Sequence, residues 1–376
     1  MIWKIEYRLN LFITLKQYIL DTSKQYQDYQ NKSGVLHIFS NCLFVKGACK
    51  GIMFDIQLKK LCSVPNSLCE FAEKFNNCTL KNIFANFDKT EYQLLNEYIV
   101  YITQNLMGAI LPQSAIKSFT KLNTLYNSPY HFENATVDIC NNPVNEILER
   151  LLKLENVGVP HIQLQFLQPL QTEYIEIFKY IENSSFHSLR ILSKYNNISD
   201  EEIFKNFKKI DSIIFYDSPT DNKKTEQNKL LIWYSTAKNC NCQGTVKKEY
   251  FSLATSHFAL SQYFNTCLYK KIYINSEGNI QNCPYSKPFG NIDNLSVTQI
   301  RLLSENSTFT KNWNVTKDKI SVCKDCEFRH FCTDCRVFIK GKNDIYSQPK
   351  NCKYNPYIAK WEGEIDYISV EDYMQK

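Results

Sequence analysis

Hydrophobic positions follow two different periods between residues 34 and 107. Three β segments come first, and the middle one alternates, with Ile52, Phe54 and Ile56 on one face as in a half-buried strand. Three stretches with helical spacing follow, and Thr79 is placed to cap the second. This order predicts a winged-helix-like α+β module over residues 36–111; the alternative is an ordinary α+β cap on the next domain. The β segments are Val35–Phe39 with Leu43–Lys46, Gly51–Leu58 and Leu61–Val64, and Gly108 is expected to end the third helix.

Strand and helix patterns then alternate along residues 133–250. Such alternation with short connections implies a parallel sheet, as either a partial barrel or an open sheet. The polar stretch Asp217–Asn228 is expected to be a loop. Strands are predicted at Ala135–Cys140, His161–Leu167, Ser188–Leu192, Ser212–Tyr216 and Leu230–Ser235, and helices at Val144–Leu154, Glu173–Ile181 and Asp200–Lys208.

The hydrophobic pattern weakens from residue 251, where cysteines become frequent. Lys271–Ile274 and Asn279–Asn282 flank Ser276-Glu277-Gly278, an order typical of a β-hairpin. Residues 251–360 are therefore assigned to a cysteine-rich domain. Residues 1–35 are expected to form an N-terminal extension and residues 361–376 a loose acidic tail.

Charge and composition exclude several classes of function. The net charge of +6 over 376 residues is mild, and no stretch concentrates it into a basic face, so nucleic acid is not an expected partner. No apolar run reaches transmembrane length, and the N-terminus has no signal-peptide h-region. A cytoplasmic location is expected, and the 15 cysteines then indicate reduced thiols together with a metal site.

The cysteines near the C-terminus form the strongest motif. Cys323, Cys326, Cys332 and Cys335 fall within thirteen residues, and Cys352 follows. Thiols this close cannot all form disulfides with one another without strain, but they can converge on a metal. Iron–sulfur and zinc both remain open, since the first four cysteines alone would satisfy a compact zinc site. With the upstream Cys267 and Cys283, seven thiols exceed the needs of one four-coordinate site.

These residues resemble a SPASM domain, the C-terminal extension of radical S-adenosylmethionine peptide-modifying enzymes that holds auxiliary [4Fe-4S] clusters. The resemblance rests on Gly278 and on the seven cysteines, with two residues between Cys332 and Cys335 where three are usual. It implies one cluster on Cys323, Cys326, Cys332 and Cys352. It implies another on Cys267, Cys283 and Cys335, whose fourth ligand is unidentified.

The defining motif of the radical enzymes is absent from this sequence. They carry Cys-x3-Cys-x2-Cys after the first barrel strand, whereas here only Cys140 follows that strand and no such triad occurs anywhere. By resemblance the region 133–250 is a degenerate partial (β/α) radical-SAM-like barrel. No reductive cleavage of S-adenosylmethionine is expected.

The sequence most resembles the SPASM-domain peptide maturase of grasp-with-SPASM systems, over roughly residues 36–360. The resemblance is carried by Phe39-Ser40-Asn41-Cys42-Leu43-Phe44-Val45-Lys46-Gly47-Ala48, by Lys271–Ile292 and by Trp313–Arg336. It implies a ribosomal peptide pathway with a precursor peptide, whose leader the first module captures, and an ATP-grasp ligase. Two other classes stay open: an enzyme that uses its cluster on the peptide, and a zinc-stabilised cysteine-rich scaffold.

Overall fold

The structure is a computed structural model, and it describes residues 34–196, 204, 206–225, 230–238, 244–341 and 343–375. The predicted N-terminal extension lies almost entirely outside these residues. So do residues 200–203 and 205 of the predicted helix Asp200–Lys208. None of the helices that the structure describes combines the length and apolar character needed to span a lipid bilayer.

The first module contains two small antiparallel sheets and three helices. One sheet has the order β2-β3-β4, and the other has the order β5-β1-β6. Helix α1 forms where Leu68, Phe71, Ala72 and Phe75 repeat at helical spacing, and these side chains are buried against both sheets. The elements are β1 (Val35–Ile38), β2 (Cys42–Lys46), β3 (Gly51–Asp55), β4 (Lys60–Val64), α1 (Asn66–Phe75), β5 (Cys78–Thr79), α2 (Leu80–Ala85), α3 (Tyr92–Gln104) and β6 (Gly108–Leu111).

Two details of this module differ from the sequence prediction, and one agrees. Thr79 caps α2 as predicted, since its side chain accepts a hydrogen bond from the Asn82 backbone N–H. Gly108 does not end the third helix, because Leu106 takes the left-handed conformation there, with φ of 59°. Gly108 instead opens β6, where a Cβ would stand 2.4 Å from the His37 carbonyl oxygen of β1. This glycine is needed for the close approach of two strands.

A mixed eight-stranded sheet forms the centre of the molecule. Its order is β11-β12-β10-β9-β8-β7-β13-β14, and the six inner strands run parallel. The outer strands β11 and β14 run antiparallel to their neighbours. They lie at opposite ends of the strand order and do not pair with each other, so the sheet is open. The elements are β7 (Asn134–Ile139), α4 (Val144–Val157), β8 (His161–Pro169), α5 (Ile175–Asn183), β9 (Ser188–Lys194), β10 (Ile210–Tyr216), β11 (Asn222–Thr225), β12 (Leu231–Tyr234), α6 (Thr255–Tyr263), β13 (Lys271–Ile274) and β14 (Ile280–Gln281).

The parallel sheet is confirmed, and its strands lie where the alternating pattern predicts them. The prediction of a loop over Asp217–Asn228 is wrong, because β11 pairs with β12 inside that stretch. The predicted hairpin is confirmed as β13 and β14. In addition, β13 pairs with β7, so the central sheet includes strands from both regions that the sequence analysis separated at residue 250.

The two faces of the central sheet have different chemistry. Ala135, Val137 and Ile139 of β7 enter the main core with α4 and α5. Thr136 and Asp138 lie on the opposite face, because side chains alternate along a strand. Asp138 is buried there and accepts a hydrogen bond from the Tyr273 hydroxyl of β13. This face of the sheet, opposite the one that packs against α4 and α5, is called the inner face below, and it carries buried polar groups.

The C-terminal part contains short elements separated by turns. They are α7 (Val297–Leu302), β15 (Tyr354–Asn355), β16 (Lys360–Trp361) and α8 (Val370–Met374). The prediction of a loose tail after residue 360 is wrong for these described residues. Trp361 pairs with Tyr354, and the Asn355 side chain donates to the Ile368 carbonyl oxygen at 2.9 Å.

Candidate functional site

The cysteine loop, residues 317–335, is a succession of tight turns rather than a regular element. Short 3₁₀ helices cover Lys317–Lys319 and Cys323–Asp325. Between them, the Cys323 N–H donates to the Ser321 carbonyl oxygen at 2.7 Å, which places Val322 at the centre of a γ-turn with φ of 67°. This conformation is strained for a β-branched residue. Strain at one residue beside a cysteine is typical of a functional site, where the surrounding structure holds the backbone in place.

One cavity of about 30 Å³ beside this loop is lined by Cys323, Cys326 and Cys332 of the loop and by Cys352, which follows it. This is the set that the resemblance assigns to the first cluster. Cys335 does not line the cavity, although the compact zinc alternative requires it. The rest of the wall is mainly apolar and includes Val246, Phe251, Phe328, Tyr354 and Trp361.

Lys317 brings a positive charge into the wall of this cavity. Its ammonium Nζ lies 3.4 Å from the Cys332 Sγ and 3.8 Å from the Asp334 carboxylate, and its side chain is 5% exposed. Burial lowers the pKa of Lys317, but the surrounding Cys332, Cys323 and Asp334 side chains raise it more, so the net shift is upward. The charge of Lys317 therefore compensates negative charge on Asp334 and on those cysteines that are thiolates.

Burial disfavours the thiolate form of Cys323, Cys326 and Cys332 when no metal is bound. It raises the pKa of Cys323 to about 12, and it raises the pKa values of Cys326 and Cys332 as well. A metal group would displace these protons, since thiolates are the binding form. Four thiols around a mainly apolar cavity with a buried cation suit an iron–sulfur cluster, which binds each thiolate to a separate iron.

Ligands for a single metal ion would have to meet at one point. In the part of the chain that the structure describes, no three His, Cys, Asp or Glu side chains converge in that way.

The three cysteines of the second predicted set lie in neighbouring segments. Cys267 borders a second cavity, of about 450 Å³, on the inner face of the central sheet. Thr266 accepts a hydrogen bond from the Asp334 N–H at 3.2 Å, which holds the segments before Cys267 and Cys335 together. Asn282, next to Cys283, donates to the Leu268 carbonyl oxygen at 3.0 Å.

No fourth ligand for this second set is identified. The Asp334 carboxylate forms an ion pair with Arg336 at 2.7 Å and is therefore occupied. The sequence also offers His257, Cys240 and Cys242 as substitute ligands, and these two cysteines lie outside the described residues.

A groove of about 830 Å³ runs beside β2 in the first module. One wall is β2 with Phe44, and the other walls are α1 with Glu73 and the linker with Phe119 and Leu122. The sequence offers Tyr92, Leu95 and Ile99, at helical spacing, as candidate groove residues, with a core position as the favoured interpretation. Leu95 and Ile99 are buried in the module core, as the favoured interpretation predicts, and none of the three borders the groove.

Strand β2 is an edge strand, and its backbone pairing shows which groups face the groove. The Gly47 N–H donates to Lys50, and the Ile56 N–H donates to Asn41, so the odd-numbered residues of β2 pair with β3. The N–H and C=O of Phe44 therefore point away from β3, and no described residue bonds to them. An extended peptide could pair with this edge.

The hairpin of β2 and β3 rests directly on the cysteine loop. The Ala48 N–H donates to the Asp325 carbonyl oxygen at 2.7 Å, and the Arg329 guanidinium donates to the Lys46 carbonyl oxygen at 2.6 Å. Below this contact, Phe54 of β3 packs edge-on against Phe331, one residue before Cys332. The sequence analysis did not predict this contact, because nothing in the local pattern links positions 280 residues apart.

Cys140 follows β7 at the carboxyl end of the strand, and its backbone N–H bonds to the Asn142 side chain at 3.2 Å. It is the cysteine at the place where a radical triad would start. Nearby, on the inner face of the sheet, burial raises the pKa of Asp138 to about 6, and the hydrogen bond from Tyr273 partly opposes this shift. One Asp138 oxygen, Oδ1, is buried and has no hydrogen-bond partner among the residues that the structure describes.

Comparison with family models finds no match for this chain, and comparison with curated proteins finds none either. Among solved structures the chain is similar to SuiB from Streptococcus suis. SuiB bound to S-adenosylmethionine is 12% identical, with a TM-score of 0.38, and the match covers 83% of this chain and 98% of SuiB. SuiB bound to precursor peptide SuiA is 13% identical, with a TM-score of 0.30, and the match covers 84% and 99%. TM-scores this low do not establish a common fold, so roles are assigned below from the chain's own residues and motifs.

Proposed function

We propose that the chain binds a ribosomally made precursor peptide and holds one or two iron–sulfur clusters while that peptide is matured. One observation carries the proposal: the hairpin that offers an open strand edge to a groove also rests on the loop of cysteines. A peptide site and a candidate cluster site thus share one structural element. The ATP-grasp ligase partner and the ribosomal pathway are proposed from the sequence resemblance.

Cys323, Cys326, Cys332 and Cys352 are the proposed ligands of the first cluster. Phe251, Phe328 and Trp361 exclude water from this cavity, and Lys317 offsets part of the thiolate charge. Cys267, Cys283 and Cys335 are proposed for a second cluster. When bound, a cluster supplies one-electron chemistry or a Lewis-acidic iron.

Each of the three segments of the chain has its own proposed role. Residues 36–111 capture the leader by adding it as a strand to β2, and Phe44 supplies the open N–H and C=O groups. The proposed degenerate barrel is the open central sheet of residues 133–250, extended by β13 and β14 from residues 251–360, the proposed cluster domain. Because the sequence contains no Cys-x3-Cys-x2-Cys motif, reductive cleavage of S-adenosylmethionine is not part of the proposed function.

Anaerobic purification followed by iron, sulfide and zinc analysis tests the metal half of this proposal. We expect brown protein that contains iron and sulfide. A colourless protein with stoichiometric zinc would overturn the cluster and favour the scaffold. The same preparation also shows whether one cluster or two are present.

Cysteine variants distinguish the two possible ligand sets. Cys352→Ser should abolish the electron paramagnetic resonance signal of the first cluster, and Cys335→Ser should retain it. The reason is that Cys352 lines the cavity and Cys335 does not. Cys140→Ser, at the end of β7, is the matched control and should leave the metal content unchanged. Loss of metal in Cys335→Ser combined with retention in Cys352→Ser would contradict the assignment and restore the compact zinc site.

A further inference from the structure

A buried lysine faces the proposed ligands of the first cluster. Lys317 lies in the 3₁₀ turn Lys317–Lys319, and its ammonium is directed at Cys332. Lys319, two residues later in the same turn, is exposed and donates to the Asn314 carbonyl oxygen at 2.9 Å. The turn thus presents one lysine to the sulfur atoms and the other to solvent.

The carboxylate near Lys317 does not account for its burial. Asp334 lies 3.8 Å away, and Arg336 already pairs with that carboxylate at 2.7 Å. Asn265 also donates to Asp334, at 2.6 Å. Burying an ammonium group is costly unless it is paired with an anion. The remaining groups that could supply that anion are the sulfur atoms of the cysteines that line the cavity.

Thiolates of a bound cluster are the anions that this geometry suits. The Cys332 Sγ is within hydrogen-bond distance of the Lys317 ammonium, and Cys323 and Cys352 border the same cavity. Hydrogen bonds to cluster sulfurs and the local net charge are two of the ways in which a protein sets a cluster's reduction potential. A fixed cation stabilises the more negative, reduced state.

We propose that Lys317 is a positioning residue that donates an N–H···S hydrogen bond to Cys332 and raises the reduction potential of the first cluster. This inference rests on the proposed function, since it requires the cluster. The step concerned is the uptake of one electron from a low-potential one-electron donor, which converts [4Fe-4S]²⁺ to [4Fe-4S]⁺. No bond to iron is made or broken, and Lys317 keeps its proton throughout.

The test is a redox titration of the anaerobically purified full chain with dithionite, followed by electron paramagnetic resonance. Lys317→Met and Lys317→Gln remove the charge, and both should lower the midpoint potential. Lys317→Arg keeps the charge and should remain closer to wild type. Lys319→Met is the matched control and should leave the potential unchanged, because its side chain faces solvent.

The outcomes separate this inference from the proposed function. Wild-type protein without iron and sulfide would refute the proposed function itself. A loaded Lys317→Gln variant with the wild-type potential would overturn only the role of Lys317. If Lys317→Met fails to retain the cluster, Lys317→Gln decides the question, since it can still donate to sulfur and keeps a polar group in the wall. If neither neutral variant retains the cluster, Lys317 acts in holding the cluster rather than in setting its potential, and the inference is wrong.

Discussion

Asp138 is a buried carboxyl group whose two oxygens have different surroundings. Oδ2 accepts the hydrogen bond from Tyr273, and Oδ1 has no partner among the described residues. Burial raises the pKa from its ordinary 3.8 to about 6 in the folded protein. The folded state therefore binds a proton more tightly than the unfolded chain does between these two values, and stability falls as the pH rises through that window.

Replacing Asp138 with Asn should remove this pH dependence. Above pH 6 the wild-type protein carries an ionised, half-satisfied carboxylate, so Asp138→Asn should be more stable there by about 1–3 kcal/mol. The difference should shrink as the pH falls from 6 toward 3.8, because the wild-type carboxyl group becomes protonated in the folded state over that range. Denaturant unfolding between pH 4 and 8 measures the effect, and exposed Asp366→Asn is the control. Parallel stability curves for wild type and Asp138→Asn would contradict the prediction.

Sequence reasoning found the cysteines but could not find Lys317. Close spacing marks Cys323, Cys326 and Cys332 as candidate ligands, because the residue type itself indicates the chemistry. Lys317 and Lys319 look alike in sequence, within Lys-Asp-Lys. Only the direction of a 3₁₀ turn decides that Lys317 is buried and Lys319 is not.

At the scale of elements, the open edge of β2 makes a specific prediction about peptide binding. Phe44→Pro removes an N–H that points into the groove and leaves the pairing of β2 with β3 intact. Losing this donor should weaken binding of the precursor peptide on the order of tenfold, as expected when one or two backbone hydrogen bonds are lost. Fluorescence anisotropy with a labelled precursor peptide measures the change.

The opposite edge of the same sheet supplies a matched control. The register of β4 against β3 turns the N–H of Ser63 outward, so Ser63→Pro makes the same chemical change on the edge away from the groove. Its peptide affinity should equal that of wild type. Equal weakening by both substitutions would show a general loss of the module's structure and would refute strand addition at β2.

The positions of helices and strands were predictable, because each depends on the local repeat of hydrophobic residues. The pairing of strands was not predictable. The pattern located β1 and β13, but it did not show that Leu36 faces Ile110 or that Ile272 faces Ala135. These pairings join positions far apart in the chain, and alternation of side chains carries no information about the partner. The residues that line the groove could not be predicted for the same reason, since its walls come from β2, α1 and the linker.

At the scale of the whole molecule, the β2–β3 hairpin joins the two proposed sites. Phe44 faces the groove, and four residues further on Ala48 bonds to Asp325 in the cysteine loop. Gly47 permits this contact, because a Cβ there would stand 2.6 Å from the Lys50 carbonyl oxygen and 2.9 Å from the Glu327 N–H. Ordering of the loop by a cluster should therefore order the strand edge that the peptide uses.

We expect cluster and peptide to bind cooperatively. Coupling between sites of this kind is typically about 1–3 kcal/mol, so removing the cluster anaerobically with a chelator and oxidant should weaken peptide binding about fivefold or more. Coupling is reciprocal, and saturating peptide should slow the loss of iron to the chelator by a similar factor. Gly47→Ala pushes the hairpin away from the loop and should reduce both effects, while Ala48→Ser, which keeps the backbone N–H, should preserve them. Identical peptide affinities with and without the cluster would mean that the hairpin joins the two sites structurally but transmits nothing between them.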